Sequence, residues 1–252
     1  MEARAGRSDT WIRLACGVVL WVGVPLLLAF PCAILVYPGE WWGPGPGKGY
    51  SFSMEFLSAL GRARTADGIS NPWASPIFNG ALVGCGMLYS LFFWPGRAAF
   101  VVRLPWRVLA LACGWLMAGG LAGIGLTPYD RHPHIHDSFC SITCVSGFLA
   151  ILIALMASGP RFEPPVSRWG TLGVLVLVLV VAGLVRIGIR GGHLSSRPAM
   201  PLLQKGAISL MVAWTYWQVW LMLRCPEGVA EPKTGDAPVG QRAGARPGDG
   251  VR

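Results

Sequence analysis

Three of the four histidines in the chain fall in the stretch TPYDRHPHIHD, residues 127–137, as His132, His134 and His136, with Asp130 and Asp137 beside them. Imidazole and carboxylate groups together suit zinc, and a single imidazole suits proton transfer near neutral pH. Alternate histidines turn their rings to one side only in an extended backbone, and Pro133 favours that conformation for His132. The fourth, His193 in RGGHLSS, follows Arg190 and would lie on the same face in the topology argued below. A plainer reading stands beside this one. His136-Asp137-Ser138 looks like a helix start, with Asp137 as the N-cap, and histidines at a water–lipid boundary serve as polar caps. Cys140 and Cys144 continue His136 at i+4 and i+8, a stripe that buried thiols on a small-residue face explain without metal. No cofactor is expected. Zinc on His132, His134 and His136 is the alternative.

The elements that would position these groups are apolar. Six stretches are long enough to cross a bilayer: 11–37, 77–94, 104–126, 138–157, 169–189 and 202–223. A hydrocarbon core about 30 Å thick needs roughly 20 helical residues, and TLGVLVLVLVVAGLV after Trp169 shows the pattern most clearly. The chain is 53% hydrophobic and 13% charged, against about 25% charged in a soluble domain. The expected fold is all-α: a polytopic membrane protein, a bundle of six transmembrane helices occupying 11–223, with a long first extracytoplasmic loop. Residues 1–10 form a cytoplasmic N-terminus. Residues 224–252, poor in large apolar side chains, form a disordered cytoplasmic tail. The net charge of +9 sits mainly at span ends, where Lys and Arg meet lipid phosphates, so nucleic acid is not an expected partner.

Orientation follows from the basic residues. With the N-terminus inside, thirteen of the 21 Lys and Arg fall in cytoplasmic segments and eight in outer ones. This places both termini in the cytoplasm of a multi-pass cell-membrane protein. The first apolar run, from Leu14 to Val36, exceeds a signal-peptide core and reads as a retained helix kinked at Pro25 and Pro31. The first outer connection, Tyr37–Pro76, is too long for a simple linker. Within it Phe52, Phe56, Leu57 and Leu60 have helical spacing, which predicts a short amphipathic segment lying on the helix ends. Ser75-Pro76 and Leu104-Pro105 read as openings of the second and third spans. Gly119 and Gly123, beside Ala118 and Ala122, form a small face for close helix packing.

Arg186 and Arg190 anchor the end of the fifth span, and together with Arg197 and His193 they could hold an anionic headgroup. Trp214, Tyr216, Trp217 and Trp220 read as an interfacial belt and packing surface. No phosphate-binding loop, nucleophile elbow or HExxH motif occurs, and no span carries Asp or Glu. Those absences disfavour an ATPase, a serine hydrolase, a zincin and a proton-coupled carrier.

Three segments carry a family resemblance. MEFLSALGRARTADGISNPWASPIFNGALVGCG (Met54–Gly86), GIGLTPYDRHPHIHDSF and RIGIRGGHLSSRPAMPLLQKGAI resemble the six-span membrane family known as domain of unknown function 998 (DUF998). Ser58, Gly61, Asn71, Pro72, Asn79 and His136 carry the match; His132 and His134 fall outside its pattern. That family is in turn similar to the Frag/DRAM/Sfk group, some of whose members are linked to lipid or GPI-anchor handling. The resemblance implies a six-helix fold with three functional-looking outer loops and no established chemistry. Two functional classes follow. One is an integral membrane protein that binds lipids, anionic headgroups or a protein partner, or assists transport. The other is a membrane-embedded lipid hydrolase or lipid-remodelling enzyme using the His/Asp cluster, with or without metal.

Overall fold

The computed structural model describes residues 2–39, 49–93, 104–157, 169–177, 179, 180, 183 and 199–224. Among them the chain is helical, and strand-like pairing is limited to one bridge between Arg64 and Ser70. We name the α-helices α1 (Glu2–Leu35), α2 (Ala74–Phe92), α3 (Leu104–Leu126), α4 (Pro133–Ala157) and α5 (Ala199–Arg224). Residues 169–177 are also helical. Apart from residues 179, 180 and 183, the rest of the fifth expected span lies outside the described residues, as do His193, Arg186, Arg190, Arg197 and the tail after Arg224.

Among the described residues four helical segments are long and apolar enough to cross a membrane: Arg13–Leu35, Ala74–Phe92, Pro105–Leu126 and Pro133–Ile153. α5 has 26 residues, about 39 Å at 1.5 Å per residue, but Gln204, Lys205, Thr215 and Gln218 interrupt its apolar run. The outward faces of the four segments carry Trp21, Leu35, Met87, Leu116 and Val145, all exposed, as a lipid-facing surface would.

Several boundaries differ from the sequence expectation. α1 starts at Glu2, inside the segment read as an N-terminal tail, and runs as one helix through Pro25 and Pro31. α2 starts at Ala74 after Trp73, which makes no side-chain cap, so Ser75 lies inside the helix and is not its N-cap. α4 starts at Pro133, five positions before the expected 138. Proline suits a first helical position because its missing N–H has no intrahelical partner there. Asp137 is therefore within the first turns and is not the cap. The His136 N–H closes onto the His132 carbonyl at 2.9 Å, which gives His132 the capping place.

The helices meet through small residues. A Cβ added at Gly86 would lie 2.6 Å from the Ala118 carbonyl oxygen, and one at Gly125 2.5 Å from that of Asn79, so α2 and α3 touch almost backbone to backbone. On another face of α3, Gly120 sits against Thr143 and Gly123 against Phe139 of α4. Gly119, expected to pair with Gly123, faces open space. Of the expected pair only Gly123 is in the seam, joined by Gly120, because two glycines four apart share a stripe only if the neighbouring helix crosses along it.

Chain direction brings the C-terminal ends of α1 and α3 and the N-terminal ends of α2, α4 and α5 to one end of the bundle, and the first loop covers it. Leu60, fully buried, packs with Ala33, Tyr37, Ala74, Phe78 and Leu82. The amphipathic helix expected across 51–64 is reduced to a single 3-10 turn, Leu57–Ala59. Phe52 is exposed, while Phe56 and Leu57 are half-buried. Helical spacing without enough consecutive helix formers left only Leu60 as a full anchor. Beyond it a tight turn closes through Thr65 N–H to Ile69 O at 2.9 Å, with Gly68 at φ +82°.

Candidate functional site

The capped end holds two polar clusters. The first surrounds the segment between α3 and α4. Thr127 and Tyr129 leave the end of α3, and His136 returns on the second turn of α4 with only 4% exposure. Its Nδ1 lies 2.8 Å from the Thr127 carbonyl oxygen. A carbonyl only accepts, so Nδ1 carries the proton and Nε2 keeps its lone pair in the neutral ring. The Tyr129 ring stands edge-on to His136, centroids 5.6 Å apart, and the Arg62 guanidinium lies 5.2 Å from the Tyr129 centroid. The Nε of Arg62 is buried and has no hydrogen-bond partner among the described residues.

The histidines do not converge. His132 and His134 are exposed, and His136 is buried. The extended strand needed to align them is replaced by helix from Pro133, where residues two apart point about 200° around the axis. Among the described residues no group of three or more His, Cys, Asp or Glu is arranged to hold a metal. His136, Cys140 and Cys144 do share one helical stripe, graded from buried through half-buried to exposed. Asp137 is exposed, and its backbone carbonyl accepts Ser141 Oγ. Asp130 is committed elsewhere: its carboxylate accepts the backbone N–H groups of Ala63 and Arg64 in the first loop.

The positions that carried the family resemblance form the hinge between loop and α2. Asn71, 2% exposed, donates Nδ2 to the carbonyls of Leu60 at 3.0 Å and Arg62 at 2.9 Å. Ser75 Oγ and Asn79 Nδ2 both donate to the Gly61 carbonyl at 2.9 Å. Gly61 leaves no space for a side chain, since an added Cβ would lie 2.5 Å from Asn79 Oδ1. Pro72 is exposed at the mouth of α2, and Ser58 lies in the 3-10 turn. These residues shape the cap through their hydrogen bonds to the loop backbone.

The second cluster was not anticipated. Lys205, on the second turn of α5 and 5% exposed, donates Nζ to the Glu55 backbone carbonyl and lies 5.2 Å from the Tyr50 ring centroid and 4.9 Å from that of Phe52. Tyr50 OH donates to the same carbonyl at 2.9 Å. The Glu55 carboxylate accepts the Ser51 N–H at 2.7 Å and Tyr37 OH at 3.3 Å. Gln204 Oε1 accepts the Leu57 N–H at 3.1 Å. Burial raises the Glu55 carboxyl above its ordinary value, partly offset by the Ser51 N–H, Tyr37 and Arg62. Burial also raises Tyr50, reinforced by the charge on Glu55. The signal available in the sequence was a lysine one turn inside an apolar stretch, where an ionisable group needs a partner.

No family model, curated protein or solved structure matches this chain.

Proposed function

We propose that this chain is a six-span integral membrane protein of the cell membrane, with both termini cytoplasmic, whose capped end faces outward and binds anionic lipid headgroups. The spans beyond the four apolar segments would be α5 and the helix begun at 169–177. The resemblance of residues 54–86 and of the His136 segment to the DUF998 pattern supports the same architecture.

The observation that carries the binding assignment is Arg62. Its guanidinium is partly buried on Tyr129, and its Nε–H has no acceptor among the described residues. A buried donor without a partner is costly, and a planar guanidinium matches two phosphate oxygens at once. His136 stands against the same tyrosine ring. Arg131 and Arg64 are exposed nearby, and Arg190 and His193 would join them from the next outer connection. The lipid hydrolase or lipid-remodelling enzyme, with or without metal, is the lesser reading, since His132 and His134 are exposed while His136 is buried.

The test is lipid retention. The protein is reconstituted in nanodiscs of mixed phosphatidylglycerol and phosphatidylcholine, extracted, and its bound lipids weighed by native mass spectrometry. Enrichment of phosphatidylglycerol that falls in Arg62→Gln is the expected result. Equal retention of both lipids by the unmodified protein would sink the assignment.

A further inference from the structure

α5 is held to the rest of the described protein differently from α1 to α4. α2, α3 and α4 meet at glycines, with backbone against backbone. α5 has one glycine, Gly206, which faces open space. Val219 and Trp214 are buried in apolar clusters with the other helices, and Trp214 donates to Thr171; toward the first loop the attachments of α5 are side-chain hydrogen bonds and ring contacts. Gln204 takes the Leu57 N–H, and Lys205 reaches the Glu55 carbonyl between Tyr50 and Phe52. Further along, Tyr89 OH lies 3.0 Å from Thr215 Oγ1. Thr215 gives its own proton to the Met211 carbonyl, so Tyr89 is the donor.

The next residue shows the strain in this arrangement. Tyr216 OH is buried with no hydrogen-bond partner among the described residues. It is pressed against Gly23 of α1, where no Cβ could be accommodated, and Cys85 lies one turn before Tyr89 on the same face of α2, the face that meets Thr215 of α5. A closed seam that leaves a hydroxyl unsatisfied is a poorer arrangement for that hydroxyl than one in which it meets water or a lipid oxygen.

We propose that the first loop is a releasable latch on α5: with Gln204 and Lys205 bound to it the helix lies closed on α1 and α2, Tyr216 against Gly23 and Cys85 in the seam, and with them released α5 swings away from α1 and α2. The latch would make the capped end a control point for access to the seam. It does not depend on which ligand the capped end binds.

Cys85 is a built-in reporter of this seam. The chain has seven cysteines, and the experiment uses the full-length protein in lipid nanodiscs with the other six replaced by alanine. The rate of Cys85 alkylation by N-ethylmaleimide is compared with that in the same background carrying Lys205→Met and Gln204→Leu. The expected outcome is an acceleration of about tenfold or more, the signature of an opening made more frequent. An unchanged rate in a protein that keeps its helical circular dichroism overturns the latch. Should the double variant fail to fold, Gln204→Leu alone removes one bond and leaves Lys205 in place; a smaller acceleration supports the proposal and none overturns it.

Discussion

The two carboxylate oxygens of Asp130 accept the Ala63 N–H at 3.2 and 3.1 Å, joining the segment after α3 to the first loop. One oxygen also takes the Arg64 N–H at 3.2 Å. An acid that stands out beside three histidines thus acts as a clip. Asp130→Ala should free the loop beside Arg62 and Arg64, and limited trypsin digestion should cut there several-fold faster. The loss is about 1 kcal/mol, since charge-assisted bonds are strong but these are exposed. Asp130→Asn keeps one acceptor and should fall between. Equal digestion of all three proteins would show that the clip does not hold the loop.

Gly61 tests the hinge. Its carbonyl takes bonds from Ser75 and Asn79, and its α-carbon faces Asn79 and Phe78 at distances no side chain allows. Gly61→Ala must push Asn79 off the carbonyl or shift α2. A loss of about 1–3 kcal/mol is expected, read as a lower midpoint of thermal unfolding in detergent. Asn79→Ala, which opens the space but removes a bond, should partly rescue the Gly61→Ala protein. Additive losses would place the strain elsewhere.

The helices were legible because length and apolar content are properties of composition: α3 has the expected bounds, α2, α4 and α5 start three to five residues early, and α1 starts nine residues early. Their starts were less legible. Pro133 and Ala74 open helices earlier than Asp137 and Ser75 suggested, since a side-chain cap is only one way to satisfy the first turn. The arrangement of the histidines was less legible for a related reason. His132, His134 and His136 look convergent only while the backbone is taken as extended, and a helix disperses them. Asp130 gave no sign of its partners, because Ala63 and Arg64 contribute backbone N–H groups that any residue carries. Lys205 was readable as anomalous, but its partner is a backbone carbonyl 150 positions away, which no local pattern encodes.

Glu55 predicts a pH dependence of the loop. Burial raises its carboxyl pKa, and Ser51, Tyr37 and Arg62 offset this only in part; Tyr50, Asp67 and Lys205 complete its charged and titratable surroundings. A raised folded-state pKa means folding favours the protonated acid. Its contribution is full below the ordinary glutamate value of about 4.3 and declines as pH rises through the folded value. Hydrogen exchange at residues 50–57, corrected for intrinsic rates, should therefore show protection that falls as pH rises above the ordinary glutamate range. In Glu55→Gln that trend should vanish. Protection that grows with pH would mean the carboxylate is held ionised.

Topology is open to direct labelling. Six spans with both ends inside place Gly45 and Arg131 outside and Glu163 inside. Single cysteines at these positions, in intact cells treated with an impermeant maleimide, should react at 45 and 131 only. Reaction at 163 alone would invert the protein, and reaction at 131 together with 163 would change the number of spans between them.

The histidines provide the sharpest separation of roles. His132 and His134 are exposed, and their side chains hold no position in the cap; His136 is buried, with Nδ1 bonded to the Thr127 carbonyl and its ring against Tyr129. Replacing His132 and His134 together with alanine should change stability by no more than about 0.5 kcal/mol, as for ordinary surface positions. His136→Ala strips a buried carbonyl of its donor and leaves a void beside Tyr129, at a cost of about 2–3 kcal/mol. His136→Asn can still donate to Thr127 and should recover part of that loss. The readouts are the thermal midpoint in detergent and zinc content by mass spectrometry after purification without chelator. A double variant at His132 and His134 that loses bound zinc while its midpoint holds would revive the metal site, and would require the remaining ligands to come from beyond the described residues.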